Sequence, residues 1–242
     1  MNGDKDILKN LRKILSEQGV ESFHVLEELV PIEEQMEYFR IFDKVRKDNT
    51  PIDRDEEIVI LFSSNQSIDQ KKKSLARLAS IPDVAAYRAI ETYHSSPAEP
   101  ELANWSAMAL LGSKIIVSSN LSGQQQIYVS SGLGGLEKRL RFFAVFTTND
   151  RATLTDLQKE LVEREFTFQL EQADVEIEQF EVKDNYFTIL MLFPLEKDPR
   201  ISISAAIEEV NKYGNFMDSK FIFTNVKILT DEEIQRVLEK GL

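Results

Sequence analysis

His24 and His94 are the only histidines in this 242-residue chain, and it contains no cysteine. Without thiols there are no disulfides, no Cys-based zinc site, no thiolate nucleophile and no Cys-ligated iron–sulfur cluster. The two histidines lie far apart, and neither has a second histidine at metal-ligand spacing. Carboxylates are abundant but unpatterned: Glu27-Glu28, Asp55-Glu56-Glu57 and Asp231-Glu232-Glu233 have the look of helix starts or faces. No nucleophile–base pair and no calcium-loop spacing stands out. An enzyme built from this chain would rest on Asp, Glu, Lys, Ser or Tyr, and no pattern of these argues for one. The reading assigns no catalytic residue, no metal and no cofactor.

One cluster could bind a ligand. Ser131-Gly132-Leu133-Gly134-Gly135 is the densest glycine run in a chain with nine glycines, and Lys138, Arg139 and Arg141 follow it. Backbone N–H groups of Gly132, Gly134 and Gly135 can cradle an anion, with the three cations completing the site. No helix follows the loop, so it is neither a dinucleotide fingerprint nor a P-loop. A hairpin turn, in which glycine supplies positive φ, explains the same residues. Lys71-Lys72-Lys73 is a second local basic run, readable as a solvated helix face.

The elements that would position these groups fall into two halves. Net charge is −12 and the sequence pI is about 4.8, with acidity spread through both halves. A chain this acidic lacks the basic footprint of phosphate-backbone binding, so no nucleic-acid partner is expected. Charges interleave with Ile7, Leu8, Leu11, Ile14 and Leu15, unlike a signal peptide. No run reaches membrane-span length, and the expected location is the cytoplasm.

Before residue 120, apolar residues recur at helical spacing. The pattern predicts helices over about 4–18, 33–47, 55–64, 69–80, 83–95 and 99–118. Pro82, Pro97 and Pro100 mark short loops, so consecutive helices should form antiparallel hairpins. Trp105 is expected to fill the core. From Lys71 to Lys114 the chain runs Leu75, Leu78, Ile81, Pro82-Asp83, Val84, Tyr87 and Ile90. A Pro-acidic loop follows, then Ala107 and Ala109-Leu110-Leu111-Gly112. This stretch resembles a HEAT-type helical repeat, which implies an all-α domain over residues 1–120 with a binding surface.

After Ser118–Gln126, a Ser-, Gly- and Gln-rich boundary, short strands appear. Arg139–Thr148 alternates Leu140, Phe142, Ala144 and Phe146 with Arg141, Phe143, Val145 and Thr147. A helix through Leu154, Leu157, Leu161 and Val162 follows, then strands over 175–182 and 186–193. Ile203, Ala206, Ile207 and Val210 mark another helix, Phe221–Leu229 a last strand, and Thr230 with Glu233 caps a tail helix. The order is β-α-β-β-α-β plus a helix, the ferredoxin-like arrangement. The fold class is therefore α+β, with residues 121–242 forming the second domain. Within it, Asp150-Arg151 in the Thr147–Leu154 loop resembles the ligand loop of the ACT family. Ala152 and Thr153 stand where that family has Pro and Gly.

These features lead to a non-catalytic adaptor whose partner is another protein. The alternative is a small-molecule (amino-acid or anion) sensor with an ACT-like site. The second face of the sheet, with Phe143 and Val145, needs cover. A tail helix over 231–240 looks too short to supply it, so a homodimer through the second domain is expected.

Overall fold

The computed structural model describes residues 23–48, 50–124 and 126–240. The helix expected over 4–18 lies outside the described residues. Two compact units are present, and the division falls between Gly132 and Leu133.

The first unit holds strand β1 (Phe23–Val25) and helices α1 (Ile32–Lys47), α2 (Arg54–Phe62), α3 (Ile68–Ser80), α4 (Val84–Ser95) and α5 (Ala103–Ser122). Strand β2 (Ile127–Val129) closes it. The caps explain the starts. Asp53 accepts from the backbone N–H groups of Asp55 and Glu56, Ser67 and Gln70 form a reciprocal capping box, and Asp83 accepts from Ala85 and Ala86. Each satisfies amides that have no partner inside the helix. A 3₁₀ turn at Pro100–Leu102 leads into α5, which ends where Gly123 adopts φ 66°. A residue with a Cβ is strained there, and glycine is not.

α5 is the spine of this unit. Trp105, Ser106, Ala107, Met108, Ala109 and Ser113 are all buried along it. Its small residues let α3 and α4 approach closely. Leu75, Leu78, Ile90, Tyr93 and Leu102 complete the core, and Tyr38 of α1 meets Trp105 edge-on at 5.3 Å. The first half is not all-α, however. β1 pairs in parallel with β2, Phe23 opposite Ile127 and Val25 opposite Val129. The chain after α5 returns to the start of the unit, which carries the division past the expected 118–126 boundary.

The second unit is a sheet of β3 (Gly135–Leu136), β4 (Arg139–Thr148), β5 (Glu176–Val182), β6 (Tyr186–Pro194) and β7 (Met217–Thr224). With it are helices α6 (Asp156–Gln172), α7 (Pro199–Asn211) and α8 (Asp231–Lys240). β4 pairs antiparallel with β6 on one side and with β7 on the other, and β5 lies outside β6. Leu140, Phe142, Ala144 and Phe146 share one face of β4, as the alternation requires. Phe146 packs on Phe166 of α6 at 4.8 Å and on Phe187 at 4.9 Å, and Phe142 stacks on Phe223 at 4.5 Å. The molecule is α+β.

The opposite face is covered from within the chain. Phe143, Val145 and Tyr186 are buried in a cluster with Leu133, Ile234 and Leu238. This corrects the expectation that the tail helix is too short and that a second copy must cover the sheet. Only the part around Phe143, Val145 and Tyr186 needs apolar cover. Further along the same face of β4, Arg141 holds Glu178 of β5. α8 is anchored by two side chains, so Ile234→Ala and Leu238→Ala should each cost about 2–5 kcal/mol. Urea unfolding followed by circular dichroism measures this; unchanged midpoints would show that α8 does not hold the face.

Candidate functional site

The glycine loop is a buried turn. Gly132, Gly134 and Gly135 are buried, and Gly134 adopts φ 66°. The Gly134 carbonyl accepts from the Arg141 amide at 3.0 Å, and the Leu133 amide donates to Asn225. Two of the three cations of the candidate anion site, Arg139 and Arg141, face carboxylates of the same unit. Arg141 grips Glu178 through two nitrogens at 2.5 and 2.8 Å and donates a third hydrogen bond to the Leu133 carbonyl. Arg139 meets Asp174 at 3.0 Å and Glu176 at 3.7 Å. Lys138 is exposed at the turn. An outside anion would compete with a bidentate pair on a guanidinium only 13 % exposed.

The Thr147–Leu154 loop is equally engaged. Asp150 and Arg151 both adopt positive φ, 53° and 56°. Their neighbours hold them there. The Asn149 amide donates to Phe216, the Leu154 amide donates to Asp184, and the Thr148 hydroxyl donates to Ala152. Arg151 donates to the Leu238 carbonyl and so ties the loop to α8. The polar groups that an ACT-type ligand would meet serve the turn itself.

In the helical unit, the lysine run is not a solvated face throughout. Lys71 is 1 % exposed, and its ammonium lies 2.5 Å from Glu99, which also accepts from the Tyr93 hydroxyl at 2.5 Å. Burial forced this: an ammonium inside a protein is tolerated only when paired and hydrogen-bonded. The Lys71 ammonium, and after it the Tyr93 hydroxyl, hold the Glu99 carboxyl below the usual carboxylate range. Lys72 pairs with Glu37 and sits over the Trp105 ring at 4.7 Å.

A second constellation was missed in the sequence. His94 Nδ1 lies 2.9 Å from the Ser106 hydroxyl and Nε2 lies 3.2 Å from Glu28. Serine, histidine and carboxylate in series have the order of a hydrolytic triad. Ser106 is fully buried, however, and its hydroxyl donates to the Ala103 carbonyl at 2.8 Å. It is not presented to a substrate. The three residues come from a loop and two helices, so no spacing in the sequence announces them.

The third feature lies on α1. Arg40, Lys44 and Lys47 follow the i, i+4, i+7 rule and fall on the side opposite Tyr38. All three are exposed, and none forms an ion pair with another described residue. Arg46 is exposed beside them. This spacing is legible in the sequence, where the chain's net charge of −12 masks it.

No protein-family model and no curated protein matches the chain. Among solved structures, it is similar to a protein described as a transposase from Deinococcus radiodurans R1. Identity is 16 % and the TM-score 0.37, over 42 % of this chain and 90 % of that one. It is also similar to the REP-associated tyrosine transposase bound to a REP hairpin. There identity is 13 % and the TM-score 0.33, over 43 % of this chain and 70 % of that one. Transposases stand where HEAT repeats, ferredoxin-like ACT domains and protein-binding adaptors were expected, and one of them is bound to a hairpin. The adaptor and ACT-type sensor readings, the unidentified protein partner and the exclusion of nucleic acid are withdrawn on that finding. At these scores the likeness lends this chain no activity.

Glu99 supplies a pH prediction. Its carboxyl is held low in the folded chain, so the pair stabilises fully above the ordinary carboxylate range and is lost as pH falls through the folded value. Thermal melts across acid pH should show this loss, and Glu99→Gln should flatten it. Lys71→Ala leaves Glu99 without its ammonium and should cost about 3–5 kcal/mol at neutral pH. For the glycine loop, sodium phosphate and sodium chloride at matched ionic strength should stabilise alike. A phosphate-specific rise in melting temperature, lost in Arg141→Ala, would reinstate the anion site.

Proposed function

We propose that the protein binds nucleic acid, with the outer stripe of α1 meeting a phosphate backbone. The observation that supports this is the unpaired state of Arg40, Lys44 and Lys47. Elsewhere in the helical unit Arg54, Lys71, Lys72 and Arg77 are matched to carboxylates of their own unit, and Lys73 and Arg88 are exposed singly on separate helices. Along α1 the three exposed cations span roughly 10 Å of helix with no such match. They also sit toward the helix C-terminus, where the macrodipole favours positive charge. That placement offsets part of the cost of crowding them and leaves their ammonium and guanidinium groups in solvent.

Charge distribution restricts the mode of binding. Glu33 and Glu34 occupy the first turn of α1, and the chain as a whole is acidic. A backbone is attracted to the second half of α1 and repelled elsewhere. Binding should be weak, sensitive to salt and indifferent to sequence, because phosphate contacts position without specifying. No helix among the described residues is long and apolar enough to cross a membrane. The reading keeps the protein in the cytoplasm, in agreement with its lack of cysteine.

Fluorescence anisotropy with a labelled DNA hairpin and a labelled single strand tests the proposal. Three phosphate contacts give a slope of log K against log salt of about −2 to −3. Arg40→Glu, Lys44→Glu and Lys47→Glu together should abolish binding while the circular dichroism spectrum is retained. Equal binding by this variant, or no binding by the native chain at low salt, would reject the proposal.

A further inference from the structure

We infer that His94 is a proton-dependent clasp that fastens the segment leading into α1. The assignment follows from counting hydrogens. Ser106 has one hydroxyl hydrogen. When it points to the Ala103 carbonyl at 2.8 Å, the Ser106 oxygen accepts from His94 Nδ1 at 2.9 Å, and Nδ1 then carries a hydrogen. On the other side, Nε2 faces Glu28 at 3.2 Å. A carboxylate can only accept, so Nε2 carries a hydrogen as well. In that arrangement an imidazolium bridges Ser106 of α5 and Glu28 of the loop before α1.

Loss of one proton has a defined consequence. The neutral ring keeps a single N–H. With that hydrogen on Nε2, the Ser106 hydroxyl must leave the Ala103 carbonyl and turn to Nδ1, and the bond to Glu28 loses its charge. With it on Nδ1, the bond to Glu28 is lost outright. Either way the hold on Glu28 weakens as pH rises. The Glu28 carboxyl is held low chiefly by its hydrogen bond with His94 and is ionised at the clasp.

Among the described residues, the charges on the elements packed on α4 are engaged elsewhere, and Glu101 of the turn before α5 acts on Tyr93 rather than His94. Of the elements packed on α4, α2 brings Glu57, matched to Arg77, and Arg54, matched to Asp83. α3 brings Lys71, matched to Glu99, and Lys72, matched to Glu37. α5 brings Ser106 and, two turns later, Lys114, which acts on His24. On α4 itself Glu91 accepts from Tyr87, and Arg88 lies nearly two turns before His94. Glu28 is therefore the charged group set against the imidazole.

The clasp acts between two apolar anchors, since Leu26 and Val30 are buried on either side of Glu28. Two residues after Val30, α1 begins, so the clasp sets the entry of that helix whether or not the helix meets nucleic acid. The experiment uses no nucleic acid and stands apart from the previous one. Urea unfolding of the native chain and of Glu28→Gln is compared at about pH 5.5 and about pH 8, the range in which histidine changes charge. His24, held below the ordinary histidine range by burial and then by Lys114, is carried unchanged by both chains.

The native folding constant should exceed that of Glu28→Gln by roughly two- to tenfold at the lower pH, the size of one hydrogen bond. The gap should narrow at the higher pH. An equal gap at both values would overturn the clasp. Nitrogen-15 NMR of the native chain supplies a readout that does not depend on any variant folding. Both His94 ring nitrogens should be protonated at the lower pH; an unprotonated ring nitrogen there would also overturn the proposal.

Discussion

A segment that buries most of its length must be covered by its neighbours, and each unit of this protein is organised by one such segment. In the helical unit it is α5, whose Trp105, Ala107, Met108 and Ala109 are buried while Lys114 and Asn120 reach solvent. α3, α4 and α1 gather round it. In the sheet unit it is β4, with Phe142 and Phe146 on one face and Phe143 and Val145 on the other. Strand pairing on both edges satisfies its backbone, while α6, α7 and α8 cover its faces. The remaining elements take their places from these demands.

The same constraint decides the fate of polar groups. Lys71 lies on α3, which presses against α5, and its ammonium is drawn inside and must meet Glu99 and Tyr93. Ser106 lies on the buried face of α5 and must find the Ala103 carbonyl and His94. α1 presents Tyr38 inward, so Arg40, Lys44 and Lys47 are left outside without an ion pair among the described residues. Candidate chemistry thus appears at the margins of the core. Cations that approach it become internal pairs, and those on the outer side of α1 stay in solvent.

Net charge says little about any one surface of this protein. A net charge of −12 spread along the chain suggested that no anion would be attracted anywhere. Screening limits the reach of surface charges to about 10 Å at ordinary salt. A local stripe therefore acts by its own neighbours more than by the total. The glycine loop shows the converse. Lys138, Arg139 and Arg141 look like a basic patch in sequence, yet strand pairing sets Glu178, Glu176 and Asp174 against the two arginines.

What the sequence determined by itself is whatever depends on near neighbours. The helices among the described residues, the Thr155–Gln158 and Thr230–Glu233 boxes, the period-two alternation of Arg139–Thr148 and the β-α-β-β-α-β order are all local patterns. Helix and strand periods fix which residues share a face. Tertiary structure alone decided what each face meets. The return of Ile127–Val129 to Phe23–Val25, the seating of Ile234 and Leu238 on Phe143, the pairing of Arg141 with Glu178 and the meeting of Glu28, His94 and Ser106 join residues distant in the chain. Periodicity says that a face must be covered or a charge matched. It does not say by what, because the partner is selected by packing in three dimensions, and many distant segments carry an equivalent pattern.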